Sequence, residues 1–230
     1  MRYCLRGRSR PDFLFLQTSD AERYAPMLAV SSRSVRRYCE MHGHEYRVFV
    51  GIKRGCLPWH ATFNRIILLQ ELLDEGFRGW VVYLDADAYI HDASIAVASI
   101  ARSATRPLII ERGSFEGLWD VNAGVFLLNL GDRKGRDLAR AWHRSFMEIS
   151  DEALAAAKNW IEVPNDQELL QRLIRDEGMM DAVERPPSAM LNYNGRFVRQ
   201  ALRADGSFED RLALITREVD AMLAATGNPS

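Results

Sequence analysis

Two aspartates one residue apart follow an apolar segment and have the clearest chemistry in the chain. The run from Trp80 to Leu84 is typical of a strand buried on both faces, and Asp85-Ala86-Asp87 comes at its carboxyl end. Side chains two positions apart on an extended segment face the same way, so both carboxylates can point at one ligand. Two hard oxygen donors suit Mn²⁺ or Mg²⁺, and such a metal keeps positions open for a diphosphate. We therefore expect a divalent-metal site here, with a turn of two solvated aspartates as the alternative.

Zinc and disulfide chemistry are not indicated by the sequence. The five histidines form no pattern such as H-E-x-x-H, and the three cysteines lack C-x-x-C spacing. An odd number of cysteines without paired spacing favours a reducing cytoplasm over a disulfide framework. The cysteines are Cys4, Cys39 and Cys56, and the histidines are His42, His44, His60, His91 and His143.

Length and charge narrow the possible partners. The chain has 230 residues and 47% hydrophobic composition, so we expect one domain over residues 1–230. Lys and Arg number 30 against 31 Asp and Glu, and the net charge of -1 gives no reason to expect binding to nucleic acid or an anionic membrane. The sequence has no apolar run of about 18 residues, which predicts no membrane span. Its basic N-terminus lacks the apolar stretch of about 7–15 residues that follows in signal peptides, so we do not expect one. We expect a cytoplasmic protein, or the catalytic part of something longer.

The spacing of apolar residues predicts strands that alternate with helices. The predicted strands are 12–17, 45–50, 80–84, 107–111 and 124–130, and the predicted helices are 21–42, 63–76, 93–103, 133–149 and 165–175. Pro186-Pro187 breaks the chain before a less regular C-terminal third, which ends in a helix within 206–230. This alternation predicts an α/β fold.

Five segments in this order resemble one known family. They are FLFLQTSD, WHATFNRIILLQELL, GWVVYLDADAYI, VNAGVFLLN and PNDQELL, and the resemblance extends from about Phe13 to Val198. The family is the galactosyl-, xylosyl- and mannosyltransferases of the retaining GT-A type. The resemblance implies a Rossmann-like GT-A domain with a mixed central sheet. Its nucleotide-binding half would cover about 12–90, and its sugar and acceptor half about 91–205. It also implies metal-dependent transfer of a sugar from a UDP- or GDP-sugar to a glycan or another hydroxyl acceptor.

The resemblance assigns the nucleotide and the metal to two strand ends. Gln17, Thr18 and Ser19 would lie beside the base and ribose of the donor. Asp85 would contact the ribose and the metal, and Asp87 would bind the metal directly. The resemblance thus implies that the ends of the first and third predicted strands hold the nucleotide.

The resemblance also places two pairs of residues at the sugar. Asn122 and Gly124 would approach the donor sugar, where the glycine leaves room for backbone contact; a plain turn is the alternative for Gly124. Asp166 and Gln167 match the D-Q pair that the family places near the transferred sugar, so they are the catalytic candidates. Their alternative is a polar helix start, because an acid in the first turn is favoured by the helix dipole.

Two positions depart from the family's pattern. Where the family has a lysine before the metal strand, this chain has Trp59-His60 and then Arg65, which we expect to bind the donor. The family closes its metal site with a histidine near the C-terminus, and Gln200 stands at that position here. An amide oxygen can ligate Mg²⁺ or Mn²⁺, so Gln200 is the candidate third ligand, with water as the alternative. The same segment could instead grip the diphosphate through Arg196, Arg199 and Arg203.

Three other functions fit part of the sequence. Haloacid-dehalogenase-like phosphatases also end an apolar strand in D-x-D, but about 80 residues of α/β pattern precede Asp85 here. A sugar nucleotidyltransferase would need a Gly-rich loop after its first strand, where this chain has QTSDAERY. A non-catalytic glycan- or nucleotide-binding module is the third alternative. Among the tryptophans, Trp119 is the candidate for stacking on an acceptor sugar, because it lies beside Asn122.

Overall fold

The computed structural model describes residues 13–186 and 189–227. Asp12, which we expected to open the first strand, and Cys4 lie outside these residues. The strands are β1 (Phe13–Ser19), β2 (Glu45–Val50), β3 (Trp80–Asp85), β4 (Ala88–Ile90), β5 (Leu108–Arg112), β6 (Val121–Asn129), β7 (Val183–Glu184) and β8 (Val198–Gln200). The helices are α1 (Ala25–His42), α2 (Asn64–Asp74), α3 (Val97–Ser103), α4 (Arg133–Met147), α5 (Asp151–Ala156), α6 (Asp166–Asp176) and α7 (Phe208–Ala225). Short 3₁₀ helices cover Pro58–Phe63, Met179–Ala182 and Arg203–Asp205.

Each predicted strand and helix is present, and the differences lie mainly at the ends. The first helix begins at Ala25 rather than at residue 21, because Pro26 fits the first turn of a helix and the Asp20 carboxylate binds the preceding backbone N–H groups. The third helix begins at Val97 rather than at residue 93. The sequence did not predict the 3₁₀ helices or four other short elements, β4, β7, β8 and α5. Their lengths are too small for a clear apolar period.

The central sheet has six strands in the order β2-β1-β3-β6-β5-β7. The strands β2, β1 and β3 are parallel, whereas β6 runs antiparallel to both β3 and β5, and β7 is parallel to β5. The predicted mixed sheet is therefore confirmed. This topology brings the carboxyl ends of β1, β3 and β5 and the start of β6 to the same end of the sheet, called here its carboxyl edge.

Helices cover both faces of the sheet. On one face, α2, α4 and α6 pack around Phe126 and Trp142. On the other, α1 and α3 pack around Phe15 and Tyr38, with the end of α7 beside them. A strand covered on both faces must be apolar throughout, which explains the uninterrupted run in β3. Within residues 13–186 and 189–227, none of the helices combines the length and apolar character that a bilayer crossing requires.

A second, two-stranded sheet lies beside the D-A-D segment. In it β4 pairs antiparallel with β8, and Ala88 lies opposite Gln200. The backbone N–H of Ala201 continues the pairing by donating to the carbonyl of Asp87 at 3.0 Å. The segment that we expected to be irregular is therefore extended at 198–200, because the exposed backbone groups of β4 need partners there.

The C-terminal helix α7 packs on α1. The side chains of Met27, Ile215 and Val219 are buried between the two helices. Ser207 caps the start of α7 by accepting from the backbone N–H of Asp210 at 3.1 Å. The predicted C-terminal helix is therefore present, and its inner face lies toward the second sheet.

Candidate functional site

Asp85 is the last residue of β3, and both of its carboxylate oxygens have hydrogen-bond partners. Its Oδ1 accepts from Arg65 Nη2 at 2.6 Å and from the Tyr83 hydroxyl at 3.0 Å. Its Oδ2 faces Gln200 Nε2 at 3.3 Å. Burial raises the pKa of Asp85 to about 7; the charge of Arg65 opposes this shift and the neighbouring carboxylates add to it. Burial therefore destabilises the ionised form of Asp85, and a further positive charge nearby would stabilise it.

Asp87 is buried and pairs with a residue of α7. Its Oδ2 accepts from Arg211 Nη2, and its Oδ1 accepts from Gln200 Nε2 at 2.9 Å. Arg211 also donates through Nε to the carbonyl of Ala201 at 2.9 Å. Burial raises the pKa of Asp87, against the hydrogen bond from Gln200 and the charge of Arg211. Asp87 thus has the same arrangement as Asp85: one oxygen on an arginine and one on Gln200.

Gln200 stands where the two carboxylates converge. Its Nε2 donates to both, whereas its Oε1 is buried with no hydrogen-bond partner among the described residues. The backbone of Gly124 lies directly against this amide, since a Cβ added there would be 2.5 Å from Gln200 Nε2. A buried acceptor without a partner is costly, and such atoms often mark a ligand position.

Arg65 joins the D-A-D segment to the start of α6. While its Nη2 binds Asp85, its Nε lies 3.2 Å from Asp166 Oδ2 and its Nη1 donates to the carbonyl of Ala123. Its guanidinium also lies over the Tyr83 ring, 4.5 Å from the centroid. Burial lowers the pKa of Arg65, but the charges of Asp166 and Asp85 outweigh burial and hold it above its ordinary value. Arg65 therefore keeps a fixed positive charge between the predicted metal and catalytic carboxylates.

Asp166 occupies the first position of α6, which Asn165 caps through its side chain. The Oδ1 atom of Asp166 accepts from the Thr62 hydroxyl. Its backbone carbonyl accepts from Trp142 Nε1 at 2.9 Å. Asp166 is thus both a helix-start acid, as the alternative interpretation had it, and a member of the buried charge cluster.

Gln167 lies beside the predicted donor-sugar residues. Its Oε1 accepts from the backbone N–H of Ala123 at 3.1 Å, and Asn122 Oδ1 accepts from the N–H of Gly124 at 2.9 Å. The start of β6 therefore brings Asn122 and Gly124 next to the Asp166-Gln167 pair. The roles of these four residues toward a sugar stay a prediction.

Gln17 lies beneath the D-A-D segment and is fully buried. Its Nε2 donates to the carbonyls of Asp85 and Ala88, each at 3.2 Å, and its Oε1 accepts from the Tyr46 hydroxyl at 2.6 Å. In the structure, then, this amide fixes the turn that carries the aspartates. Its predicted contact with the donor is not tested by these bonds.

Thr18 and Ser19 lie at the same edge, at the end of β1. The Thr18 hydroxyl is 3.3 Å from the Tyr83 hydroxyl, which itself binds Asp85. The Ser19 hydroxyl donates to the carbonyl of Asp20 at 2.8 Å. Both side chains are buried, and their predicted contact with the nucleoside stays a prediction.

Two arginines of the β8 segment, Arg199 and Arg203, have partners other than the two aspartates. Neighbouring residues on a strand face opposite ways, so Arg199 points away from the aspartates that Gln200 contacts. It pairs instead with Glu218 at 3.3 Å, and His91 Nδ1 lies 3.4 Å from the same carboxylate. Arg203 lies over the ring of Trp160, 5.8 Å from its centroid.

The tryptophans differ in exposure. Trp119 packs against the core with Arg175 over its ring at 5.0 Å, whereas Trp160 is 47% exposed. All five tryptophans lie in the described residues, and Trp160 alone is exposed. Trp160 therefore has the ring that is open to a ligand, whereas the predicted stacking role of Trp119 stays a prediction.

Sequence reasoning missed three contributors to this cluster: Thr62, Tyr83 and Arg211. Arg211 could have been suspected from its spacing, because it begins the stripe of buried residues that continues through Ile215 and Val219. A charged residue in a buried stripe needs a partner. The sequence does not tell which carboxylate that partner is.

The fold is similar to those of solved glycosyltransferases. A glycosyltransferase involved in the glycosylation of the major capsid of PBCV-1 matches 89% of this chain over 99% of its own, with a TM-score of 0.64 and 13% identity. The apo form of GlyE from Streptococcus pneumoniae TIGR4 matches 95% of this chain over 65% of its own, with a TM-score of 0.52 and 13% identity. A second GlyE structure from the same strain matches 96% of this chain over 66% of its own, with a TM-score of 0.52 and 14% identity. At such identities the likeness shows the fold, which is GT-A-like as predicted.

Sequence comparisons give no family for the chain. No protein-family model matches it, and no curated protein does. The three solved neighbours are described as glycosyltransferases, so they give no support to the phosphatase alternative.

Proposed function

We propose that this chain is a glycosyltransferase that moves a sugar from a UDP- or GDP-sugar to a glycan or another hydroxyl acceptor. The observation that carries the proposal is the convergence of Asp85, Asp87 and Gln200, with Asp166 close by, at the carboxyl edge of a GT-A-like sheet. Ligands of α/β proteins collect at this edge. The likeness of the fold to solved glycosyltransferases supports the same function.

The residues around the D-A-D segment fit a divalent cation, Mn²⁺ or Mg²⁺. Within the described part of the chain, no three His, Cys, Asp or Glu side chains are grouped to hold a metal, and we assign the third position to Gln200 rather than to water. Gln200 contacts both aspartates and has a buried Oε1 without a partner. A half-turn of its amide would exchange the N–H group for this oxygen, which suits either metal. Asp85, Asp87 and Gln200 would hold the cation, which when bound neutralises charge on the departing diphosphate.

The charge of the cluster also favours a cation. Among the described residues, Asp85, Asp87 and Asp166 pair with two cations, Arg65 and Arg211, so the ionised cluster keeps one net negative charge in a buried place. A diphosphate would be repelled by that charge, and the repulsion is strong where water is excluded. A divalent cation would reverse the sign and make the site attractive to a diphosphate.

We infer the roles of the remaining site residues from their positions. We assign Asp166 and Gln167 to the transferred sugar, with Arg65 holding the Asp166 carboxylate toward the D-A-D segment. Asn122 and Gly124 would meet the donor sugar from β6. The nucleoside would lie at Thr18 and Ser19, over a turn that Gln17 supports. We also propose that residues 91–205 form the sugar and acceptor half. The transfer would be of the retaining type, and it would take place in the cytoplasm.

A donor panel tests the proposal. The chain is incubated with UDP- and GDP-sugars and Mn²⁺, and release of nucleoside diphosphate is measured with and without hydroxyl acceptors. We expect release from at least one donor, loss of release in EDTA, and about a 100-fold lower rate for Asp87→Asn, a loss of about 3 kcal/mol in transition-state stabilisation. Arg217→Met, on an exposed side chain, is the control.

The outcomes separate the metal from the reaction. Release that is equally fast in EDTA and in Asp87→Asn would remove the metal from the proposal. If no donor of either nucleotide is turned over or bound, glycosyl transfer itself is wrong for this chain.

A further inference from the structure

The buried ion pair between Arg211 and Asp87 links the C-terminal helix to the proposed cation site. The two side chains are only 4% and 11% exposed. Arg211 is held from both ends of its guanidinium, since its Nε donates to the carbonyl of Ala201 at 2.9 Å. The helix itself is tied to α1, where Arg37 Nη2 donates to the carbonyl of Thr226 at 2.7 Å. A fixed positive charge is therefore kept at Asp87.

Arg211 has a counterpart on the other aspartate. Arg65 binds Asp85 Oδ1 at 2.6 Å, so each aspartate meets a guanidinium through one oxygen and Gln200 through the other. A buried carboxylate without a partner is strongly destabilising, and the two arginines remove that cost when no cation is bound. They also put two positive charges beside the oxygens that a cation would use.

The charge count makes the cation depend on the diphosphate. A divalent cation alone would leave the buried cluster with one net positive charge, and it would be repelled by both guanidinium groups. A diphosphate that arrives with the cation supplies the missing negative charge. We propose that Arg211 is a resident counter-charge of Asp87, which makes divalent-cation binding weak alone and strong together with a nucleoside diphosphate. This rests on the proposed function, because it takes the D-A-D segment as the cation site.

The sign of one change separates this role from a simpler one. If Arg211 only oriented Asp87 toward the cation, removing the guanidinium would weaken cation binding, as loss of an orienting partner usually does. A counter-charge acts in the opposite direction, because removing it lessens the repulsion and leaves Asp87 in need of a positive partner. The cation alone should then bind more tightly.

The test compares charge with shape at one position. Arg211→Gln removes the charge but keeps a hydrogen-bond donor for Asp87, and Arg211→Lys keeps the charge. Arg217→Met is the matched control, since it lies on the same helix with its side chain 70% exposed. The Kd of Mn²⁺ is measured on the whole chain by calorimetry, alone and with saturating UDP or GDP. The unfolding Tm without metal is recorded for each variant.

We expect UDP or GDP to lower the Kd of Mn²⁺ by about ten-fold or more in the unsubstituted chain, in Arg211→Lys and in Arg217→Met. Arg211→Gln should bind Mn²⁺ alone about ten-fold more tightly than the unsubstituted chain, lose most of this coupling, and melt at a lower temperature without metal.

Three results overturn the proposal. Unchanged or weaker binding of Mn²⁺ alone to Arg211→Gln would exclude the counter-charge and leave the proposed function standing. A changed affinity for Mn²⁺ alone in Arg211→Lys would exclude it too, because that variant keeps the charge. If the unsubstituted chain binds neither UDP nor GDP with or without Mn²⁺, the proposed function itself is wrong.

Discussion

Gly124→Ala should displace Gln200 from the two aspartates. The backbone of Gly124 is not in the left-handed region, so alanine meets no backbone strain there. The added methyl carbon, however, would lie 2.5 Å from Gln200 Nε2 and 2.8 Å from its Cδ. Carbon atoms in contact are normally about 3.5–4.0 Å from their neighbours, so the amide must move by roughly 1 Å.

The size of the effect follows from what that shift breaks. Gln200 Nε2 is 2.9 Å from Asp87 Oδ1 and 3.3 Å from Asp85 Oδ2, and a move of roughly 1 Å loses both hydrogen bonds. A hydrogen bond to a charged group contributes about 1.5–3 kcal/mol, and the bond to Asp85 at 3.3 Å is long and adds little, so we expect a loss of about 2 kcal/mol. For a chain of this size that lowers Tm by about 4–8 °C. Removing one ligand should also raise the Kd of Mn²⁺ in the presence of UDP or GDP by about ten-fold.

A double-variant cycle measures the effect. Tm and the Kd of Mn²⁺ are compared for Gly124→Ala, Gln200→Ala and the combined variant. If the methyl group acts through the amide, adding Gly124→Ala to Gln200→Ala should cost less than about 0.5 kcal/mol. Arg217→Met, on a side chain that is 70% exposed and far from β6 in the sequence, is the control.

One result would refute this reasoning. If Gly124→Ala costs as much in the Gln200→Ala background as in the unsubstituted chain, the clash is not with the Gln200 amide. Gly124 would then be needed for its own backbone contacts rather than for the space it leaves.

Three further predictions concern the rest of the site. Arg65→Met leaves Asp85 and Asp166 without their buried partner, so it should lower the free energy of unfolding by about 3–5 kcal/mol and the Tm by about 10 °C. Arg78→Met, on an exposed side chain, is the control. A fall in Tm of less than about 2 °C for Arg65→Met would contradict the prediction. Asp166→Asn should lower kcat by about 100-fold with little change in the Kd of the nucleoside diphosphate, whereas equal losses in both would place it on the nucleotide. Trp160→Ala should raise KM for a saccharide acceptor by about ten-fold and leave donor hydrolysis unchanged, because its exposed ring touches neither carboxylate.

Local pattern in the sequence was enough to find the fold class and the aspartate pair. An apolar run followed by Asp85-Ala86-Asp87 predicts a buried strand whose carboxyl end presents two carboxylates, and β3 has this form. The helix over 165–175 was predicted in the same way, and in the structure Asn165 caps its start. Such features depend on residues only a few positions apart, so the order of residues along the chain determines them.

The resemblance to a family predicted a long-range neighbour of the aspartates that local sequence pattern could not. It placed Gln200 at the metal site although nothing in its local sequence predicts β8, and the structure brings this amide to both aspartates. It gave Gln17 to the nucleoside, whereas the structure shows its amide holding the turn that follows β3. A match to a family pattern does not tell whether a side chain contacts a ligand or a backbone carbonyl.

The sequence by itself determined where the carboxylates lie on their strand, and only the tertiary structure decided what neutralises them. Arg211 and Asp87 are 124 positions apart, and Arg65 and Asp166 belong to helices separated by four strands. The chain has 30 basic residues, and each could pair with an aspartate as far as its sequence shows. Which two are buried against the D-A-D segment depends on how α2 and α7 pack on the two sheets, because a buried charge is stable only beside the partner that packing brings to it.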